Sequence, residues 1–303
     1  MRRVLFIGGG RRVELARMFK ERNYAVYSYE LDYKVPIGSE AEIIIGKDFN
    51  DFSVYNDILA VASFYDVDLI IPLMDAAVQA CSYIKTYSNR TVLAPSYMTA
   101  HTCLDKDAFS RFINKEFPEF YPDLGPDIYP KIKKPTRGFG SKDISIIKNR
   151  QEDIRIDGYV YQTYIQGKEY SIDSYFDPKS KWVDSVCRER IRIGSGEVIT
   201  SKTQKNRYLI DLTAEIGEKL GLVGPSNTQW IVEHVSEQPF ITEVNSRFGG
   251  GATFSMAVGM DVISLIERDY FGKSFPYLPL QWKENQLLER SYRDHYFDCS
   301  LDK

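Results

Sequence analysis

Apolar residues follow two different rhythms along this chain, and the change between them falls near residue 97. In the first stretch, short continuous apolar runs alternate with longer segments of helical spacing. Residues 3–9 (RVLFIGG) form a run that ends in glycine, and apolar positions Val13, Leu15, Ala16, Met18 and Phe19 then predict a helix. Strands are predicted at Tyr24–Tyr29 and Ile43–Ile45, a helix at 51–64, a strand at Asp68–Pro72, a helix at Ala76–Tyr87 and a strand at Thr91–Ala94. Apolar runs separated by helices imply a parallel sheet with right-handed crossovers, closing near residue 97.

Beyond Tyr97 the rhythm becomes that of an antiparallel protein. A helix of mixed charge is predicted at Thr102–Asn114, and a Pro/Asp-rich turn at Pro118–Pro126 follows. Closely spaced strands are then expected at 127–134, 143–148, 159–165, 168–177, 181–189 and 196–203. A helix at 207–221 leads to strands at 226–235 and 239–245, joined by a tight turn at Glu237-Gln238. A glycine-rich loop at 246–252 opens helices at 252–258 and 261–271, while 276–303 has a polar, aromatic and irregular pattern. The fold class is therefore α/β and then α+β, and 303 residues are enough for two or three domains.

Bulk chemistry narrows the function. A formal net charge of -3 provides no global basic field for nucleic acid or an anionic membrane. No apolar run approaches the roughly 20 residues that span a bilayer, and the N-terminus enters a strand without a signal-peptide pattern. Cys81, Cys103, Cys187 and Cys299 are far apart, as reduced thiols of a cytoplasmic protein would be. His101, His234 and His295 form no metal-spacing cluster.

Four segments carry candidate chemistry. Lys131 to Pro135 is a strand end rich in lysine, followed by Arg137-Gly138-Phe139-Gly140-Ser141, where glycines let backbone N–H groups approach phosphate oxygens. At Gln162-Thr163-Tyr164-Ile165-Gln166-Gly167-Lys168-Glu169 a strand turns into another that begins with an acid, a corner suited to a nucleobase edge and ribose hydroxyls. Gln229 on one strand and Glu243 and Asn245 on the next share a face by period-2 alternation, an oxygen set that suits Mg²⁺. Arg247, then Gly249-Gly250-Gly251 before a helix, forms an anion-binding corner. Taken singly, each also fits an ordinary turn, a hairpin or a solvated strand.

In this order the segments resemble the ATP-grasp superfamily, most closely its carbamoyl-phosphate-synthetase-like ligase branch. Glu243-Val-Asn-Ser-Arg247-Phe-Gly-Gly250 is similar to the family's E-[IV]-N-P-R-x-G-G run, and Leu104-Asp105-Lys106, Lys134-Pro135 and Gly167-Lys-Glu169-Tyr fit as well. The resemblance implies a Rossmann-like pre-ATP-grasp domain (1–97), a small lobe (98–165), a large lobe (166–275) and a tail (276–303). It further implies that Lys106 and Lys134 hold nucleotide phosphates and that Gly138, Gly140 and Ser141 form a mobile phosphate-covering loop. Gln162, Thr163, Tyr164 and Ile165 would be the adenine hinge, Glu169 the ribose acid, and Gln229, Glu243 and Asn245 the ligands of Mg²⁺ or Mn²⁺. Arg247 would stabilise an acyl phosphate, giving Arg247, Lys134 and Asn245 as the catalytic set.

Three positions depart from the wider family pattern: Thr163 at the hinge, Ser246 for the proline, and Gln229 for an acid, the last a glutamine that carbamoyl-phosphate-synthetase-like enzymes also carry. Gly9, Gly10 and Arg11, with Arg188, Arg190 and Arg247, are candidate substrate contacts. The expected function is ATP-dependent ligation of a small-molecule carboxylate to an amine or other nucleophile; homodimers are common in such folds, and the sequence leaves the oligomeric state open. Phosphorylation of a small substrate and non-catalytic ATP binding are the alternatives within the fold. Gly8-x-Gly10 with Glu30 about 20 residues on also matches part of a dinucleotide fingerprint, but Val13 takes its third glycine position.

Overall fold

Four apolar runs of the N-terminal stretch lie side by side as a parallel sheet. They are β1 (Arg2–Ile7), β2 (Tyr24–Glu30), β3 (Glu42–Ile45) and β4 (Leu69–Pro72), in the order β3-β2-β1-β4. Helices α1 (Val13–Glu21), α2 (Val54–Phe64) and α3 (Asp75–Tyr87) connect them. Leu5, Ile7, Ile58, Ile70, Cys81 and Ile84 form one buried cluster, which explains the apolar run from Val4 to Ile7 within β1 and the one that forms β4. Thr91–Ala94, expected as a strand, makes only a bridge from Val92 to Ile70. Leu93 N–H donates to the Ile70 carbonyl, but the next donor a parallel ladder would need belongs to Pro95, which has none.

The computed structural model describes residues 1–123, 125–138, 143–194, 196–291 and 293–297, and the chain divides into two units. Met1–Tyr97 with the stretch after Arg290 is one, and Met98–Arg290 is the other. The helix expected at 102–114 is two helices, α4 (Tyr97–Leu104) and α5 (Lys106–Glu116). Asp105 separates them because its carboxylate caps the second, accepting from the Asp107 and Ala108 N–H groups at 3.0 and 3.1 Å.

Two antiparallel sheets follow. The small one, in the order β6-β5-β7, contains β5 (Lys131–Pro135), β6 (Ser145–Ile147) and β7 (Tyr159–Thr163). The large one contains β8 (Gly167–Phe176), β9 (Trp182–Gly194), β10 (Glu197–Thr203), β11 (Gly224–Glu233) and β12 (Pro239–Asn245). One face of the large sheet buries Ile172, Cys187, Trp230 and Val244. The helix α6 (Arg207–Leu220) contacts it, where the Trp230 indole donates to Thr213 Oγ1 at 2.9 Å. Helices α7 (Ala252–Ala257) and α8 (Val262–Phe271) come after β12.

The tail is not irregular throughout. A short strand, β13 (Leu287–Glu289), pairs antiparallel with β10 and completes the order β12-β11-β8-β9-β10-β13. Ahead of it Trp282 is buried, its indole donating to the Ser185 carbonyl at 2.8 Å. Among the described residues no helix is long and apolar enough to cross a membrane.

Candidate functional site

The other face of the large sheet is polar across four strands. Register pairs Asn227 with Asn245 and Gln229 with Glu243 between β11 and β12. It also pairs Asn227 with Asp173 and Gln229 with Ser171 between β11 and β8, and Ser171 with Arg188 between β8 and β9. Period-2 alternation therefore puts Glu169, Asp173, Arg188, Arg190, Asn227, Gln229, Glu243 and Asn245 on one side. These are the positions at which the strands' apolar pattern breaks.

Lys134 comes to this face from the small sheet. Burial pushes its ammonium below the ordinary lysine value, Glu243 and Glu169 act to raise it, and Lys106 pushes it down further. The lysine thus feels carboxylates on β12 and β8 that are remote in sequence, and it shares one cavity with the second of them, Glu169. Lys106, at the first turn of α5, donates through Nζ to the Gly138 carbonyl at 3.2 Å, and its N–H donates to Thr136 O at 2.8 Å. Arg137 pairs with Asp105 at 3.3 Å, so the start of the glycine loop is tied to that helix. Gly140 and Ser141 lie outside the described residues.

Between the sheets is a cavity of ≈ 370 Å³ lined by Ile132 and Lys134, by the whole hinge Gln162-Thr163-Tyr164-Ile165, and by Glu169, Ile231 and Thr242. The hinge is fixed by two proline carbonyls: Thr163 N–H donates to Pro122 at 2.8 Å and Tyr164 N–H to Pro130 at 2.9 Å. Its volume falls in the range of small-molecule sites, and apolar walls with a few polar groups suit a flat heterocycle.

At the far end, Asn245 Nδ2 donates to Glu243 Oε1 at 2.6 Å, and Arg247 donates to Asn245 Oδ1 at 3.1 Å and to the Phe248 carbonyl at 3.2 Å. Among the described residues no group of three or more His, Cys, Asp or Glu could hold a metal. Glu243 with the Asn245 amide oxygen still fits Mg²⁺, which accepts one or two carboxylates and completes its shell with water and substrate phosphate. Gln229, the third expected ligand, has its Oε1 engaged by the Arg190 guanidinium.

Arg188 does not have the exposure expected of a substrate contact. It is 1% exposed, held on Asp173 Oδ2 through Nε at 2.9 Å and NH2 at 2.7 Å, with Ser255 and Ser201 completing the set. Asp173 also accepts from Asn227 Nδ2 at 2.7 Å and from Ser255 Oγ. A Cβ at Gly251 would sit 2.6 Å from the Arg188 guanidinium, and one at Gly249 2.8 Å from Asp173 Oδ1. The glycine run is therefore required for close packing on this ion pair. Sequence reasoning missed Asp173 and Asn227, although both lie at even spacing from Glu169 and Gln229, which was the available signal.

In the N-terminal unit, Gly9 is buried against Ser28 and Ile37, Gly10 has φ +50°, and Arg11 is exposed. Glu30 Oε1 accepts from Gly10 N–H at 2.9 Å and Ser28 Oγ at 2.6 Å. That carboxylate braces its own loop, which removes it as the ribose acid of a dinucleotide fingerprint.

Comparison with known proteins bears on the fold of this region. Residues 103–251 match the family model of the ATP-grasp domain. Among solved structures, the biotin carboxylase domain of Hydrogenobacter thermophilus 2-oxoglutarate carboxylase, in complex with MgADP, ADP and bicarbonate, matches with TM-score 0.72 and 15% identity. That match covers 94% of this chain and 73% of that one. An L-amino acid ligase from Bacillus licheniformis matches with TM-score 0.67 and 16% identity, over 89% of this chain and 74% of that one. Rhizobium etli pyruvate carboxylase matches with TM-score 0.71 and 12% identity over 90% of this chain, which spans only 29% of that protein. At these identities the structural likeness concerns the fold, while the family model concerns the segment that contains the cleft. Residues 103–251 of the chain are thereby identified as an ATP-grasp domain.

Proposed function

We propose that the chain is an ATP-dependent ligase that activates a small carboxylate as an acyl phosphate and passes the acyl group to an amine or another nucleophile. The observation that supports this reading is one cavity that Lys134 of the small sheet shares with residues 162–165 and with Glu169 of the large sheet, where the lysine also feels the Glu243 carboxylate. A cleft for MgATP with a carboxylate-activating arginine at its phosphate end is the arrangement such chemistry needs.

In this reading the Ile165 N–H and the hinge carbonyls meet the adenine edge, and Glu169 meets the ribose. Lys134 and Lys106 neutralise phosphate charge, and Glu243 and Asn245 hold Mg²⁺, which supplies Lewis-acid stabilisation of the phosphoryl group. Arg247 leaves the Asn245 amide for the substrate carboxylate, which attacks the γ-phosphate with ADP as the leaving group, and offsets charge as the acyl phosphate forms. The loop that begins at Gly138 excludes water, so that the nucleophile and not water displaces phosphate. The N-terminal unit takes the place of the family's pre-ATP-grasp domain. Membership of the carbamoyl-phosphate-synthetase-like branch and a homodimeric state belong to the same proposal.

The test is ADP formation with amino acids and small carboxylates supplied in pairs. A pair that drives ADP release in wild type should lose it by about 10²–10³-fold in Glu243→Ala and in Arg247→Ala, with circular dichroism unchanged. Full turnover in both variants would sink the mechanism.

A further inference from the structure

Two arginines stand two residues apart on the same face of β9, and their surroundings differ. Arg188 is saturated, with Asp173, Ser255 and Ser201 around its guanidinium. Arg190 has a side chain only 8% exposed, yet its Nε is buried with no hydrogen-bond partner, and Glu169 Oε2 lies 3.6 Å away. Its NH1 donates to Gln229 Oε1, the atom that the metal-ligand pattern reserves for a cation. Arg190 therefore lies between the acid at the hinge side of the cleft and the amide at the metal side, along the line a triphosphate would take. Buried donors are rarely left unpaired, and a guanidinium in this state is matched to an anion that arrives later.

We propose that Arg190 is a built-in cation for the nucleotide phosphates, replacing one of two possible divalent ions, so that the site works with a single Mg²⁺ on Glu243 and Asn245. This rests on the reading that the cleft binds MgATP. The argument is one of charge and of ligand supply. A divalent ion on Gln229 would face the Arg190 guanidinium at close range, in a partly desolvated site where the Glu169 carboxylate 3.6 Å away offsets only part of the repulsion. A glutamine, unlike a glutamate, adds no negative charge to draw a second ion in. With Gln229 occupied, Glu243 is the one carboxylate of the set, enough for one Mg²⁺ that fills its shell with water and phosphate oxygens.

The test counts metal ions directly. Wild-type protein saturated with AMPPNP, a non-hydrolysable ATP analogue, is titrated with Mn²⁺, and bound ions are counted by electron paramagnetic resonance. One Mn²⁺ per nucleotide complex is expected, and two would overturn the proposal while leaving the ligase reading standing. Failure of wild type to bind AMPPNP at all would sink both. Arg190→Gln should weaken AMPPNP by about tenfold or more at fixed Mn²⁺. The double variant Arg190→Gln/Gln229→Glu should regain affinity and take up a second Mn²⁺. Unchanged affinity in Arg190→Gln overturns the proposal, and if that variant does not fold, the count on wild type decides alone.

Discussion

At the scale of single residues, burial separates side chains that hold the sheet from those free to do chemistry. Asp173 and Arg188 are both nearly inaccessible and bond each other twice, so removing one leaves the other as an uncompensated buried charge. Asp173→Ala should cost about 3–5 kcal/mol in urea unfolding, and an apolar replacement of both partners much less. Lys134 is different, because its lowered pKa comes from burial without a full counter-charge. As pH rises through the folded-state value, the native protein loses that proton while the unfolded chain keeps it up to the ordinary 10.5. The unfolded state then binds more protons, so this group adds stability with rising pH across that window. Phosphate affinity moves the opposite way, since a neutral amine offers phosphate no charge. AMPPNP binding should therefore weaken on an alkaline limb that starts below the ordinary lysine value and is absent in Lys134→Arg. An identical pH profile for the two proteins would contradict the placement of Lys134. The legibility of these residues followed their range: Lys134, Glu243 and Arg247 stand in local motifs. Asp173 and Arg188 meet only through the pairing of β8 with β9, which no local pattern reports.

At the scale of elements, patterns backed by a continuous buried face were legible and those backed by one or two contacts were not. The parallel strands β1 and β4 were evident as short buried apolar runs, and the strands β8 to β10 and the pair β11 and β12 because they follow one another closely across short turns. The break between α4 and α5 was missed because Asp105 reads as an exposed helix residue until its capping bonds are seen. The tail was missed because β13 is three residues long and mostly exposed. Its anchor is Trp282, 1% exposed and bonded to Ser185 O. Trp282→Ala should cost about 3–5 kcal/mol, measured by chemical unfolding. The same segment ends on Arg290, whose NH2 donates to the Gly250 carbonyl and whose NH1 pairs with Glu197 at 2.9 Å. Arg290→Ala should therefore lower turnover through the loop that positions Arg247 while leaving AMPPNP affinity near wild type. Equal losses in both would place Arg290 in general folding instead.

For the molecule as a whole, the cleft, the hinge and the arginine corner all lie in the unit formed by Met98–Arg290. Ligand linkage then distinguishes a ligase from a module that only binds nucleotide. MgADP at 100 times its dissociation constant should stabilise the folded chain by about 2.7 kcal/mol, because a ligand that binds only the native state adds RT ln(1 + [L]/Kd). Spread over a unit of this size, that corresponds to a rise of roughly 5–10 °C in its melting midpoint. Lys134→Ala should lose most of the rise, since its ammonium lies in the cleft wall. Arg247→Ala should keep it, since Arg247 rests on Asn245 and Phe248 beyond the hinge. The decisive pattern is Arg247→Ala with the MgADP shift intact and substrate-driven ADP release gone. Binding and chemistry then separate at one side chain, which a protein that merely holds nucleotide has no means to do.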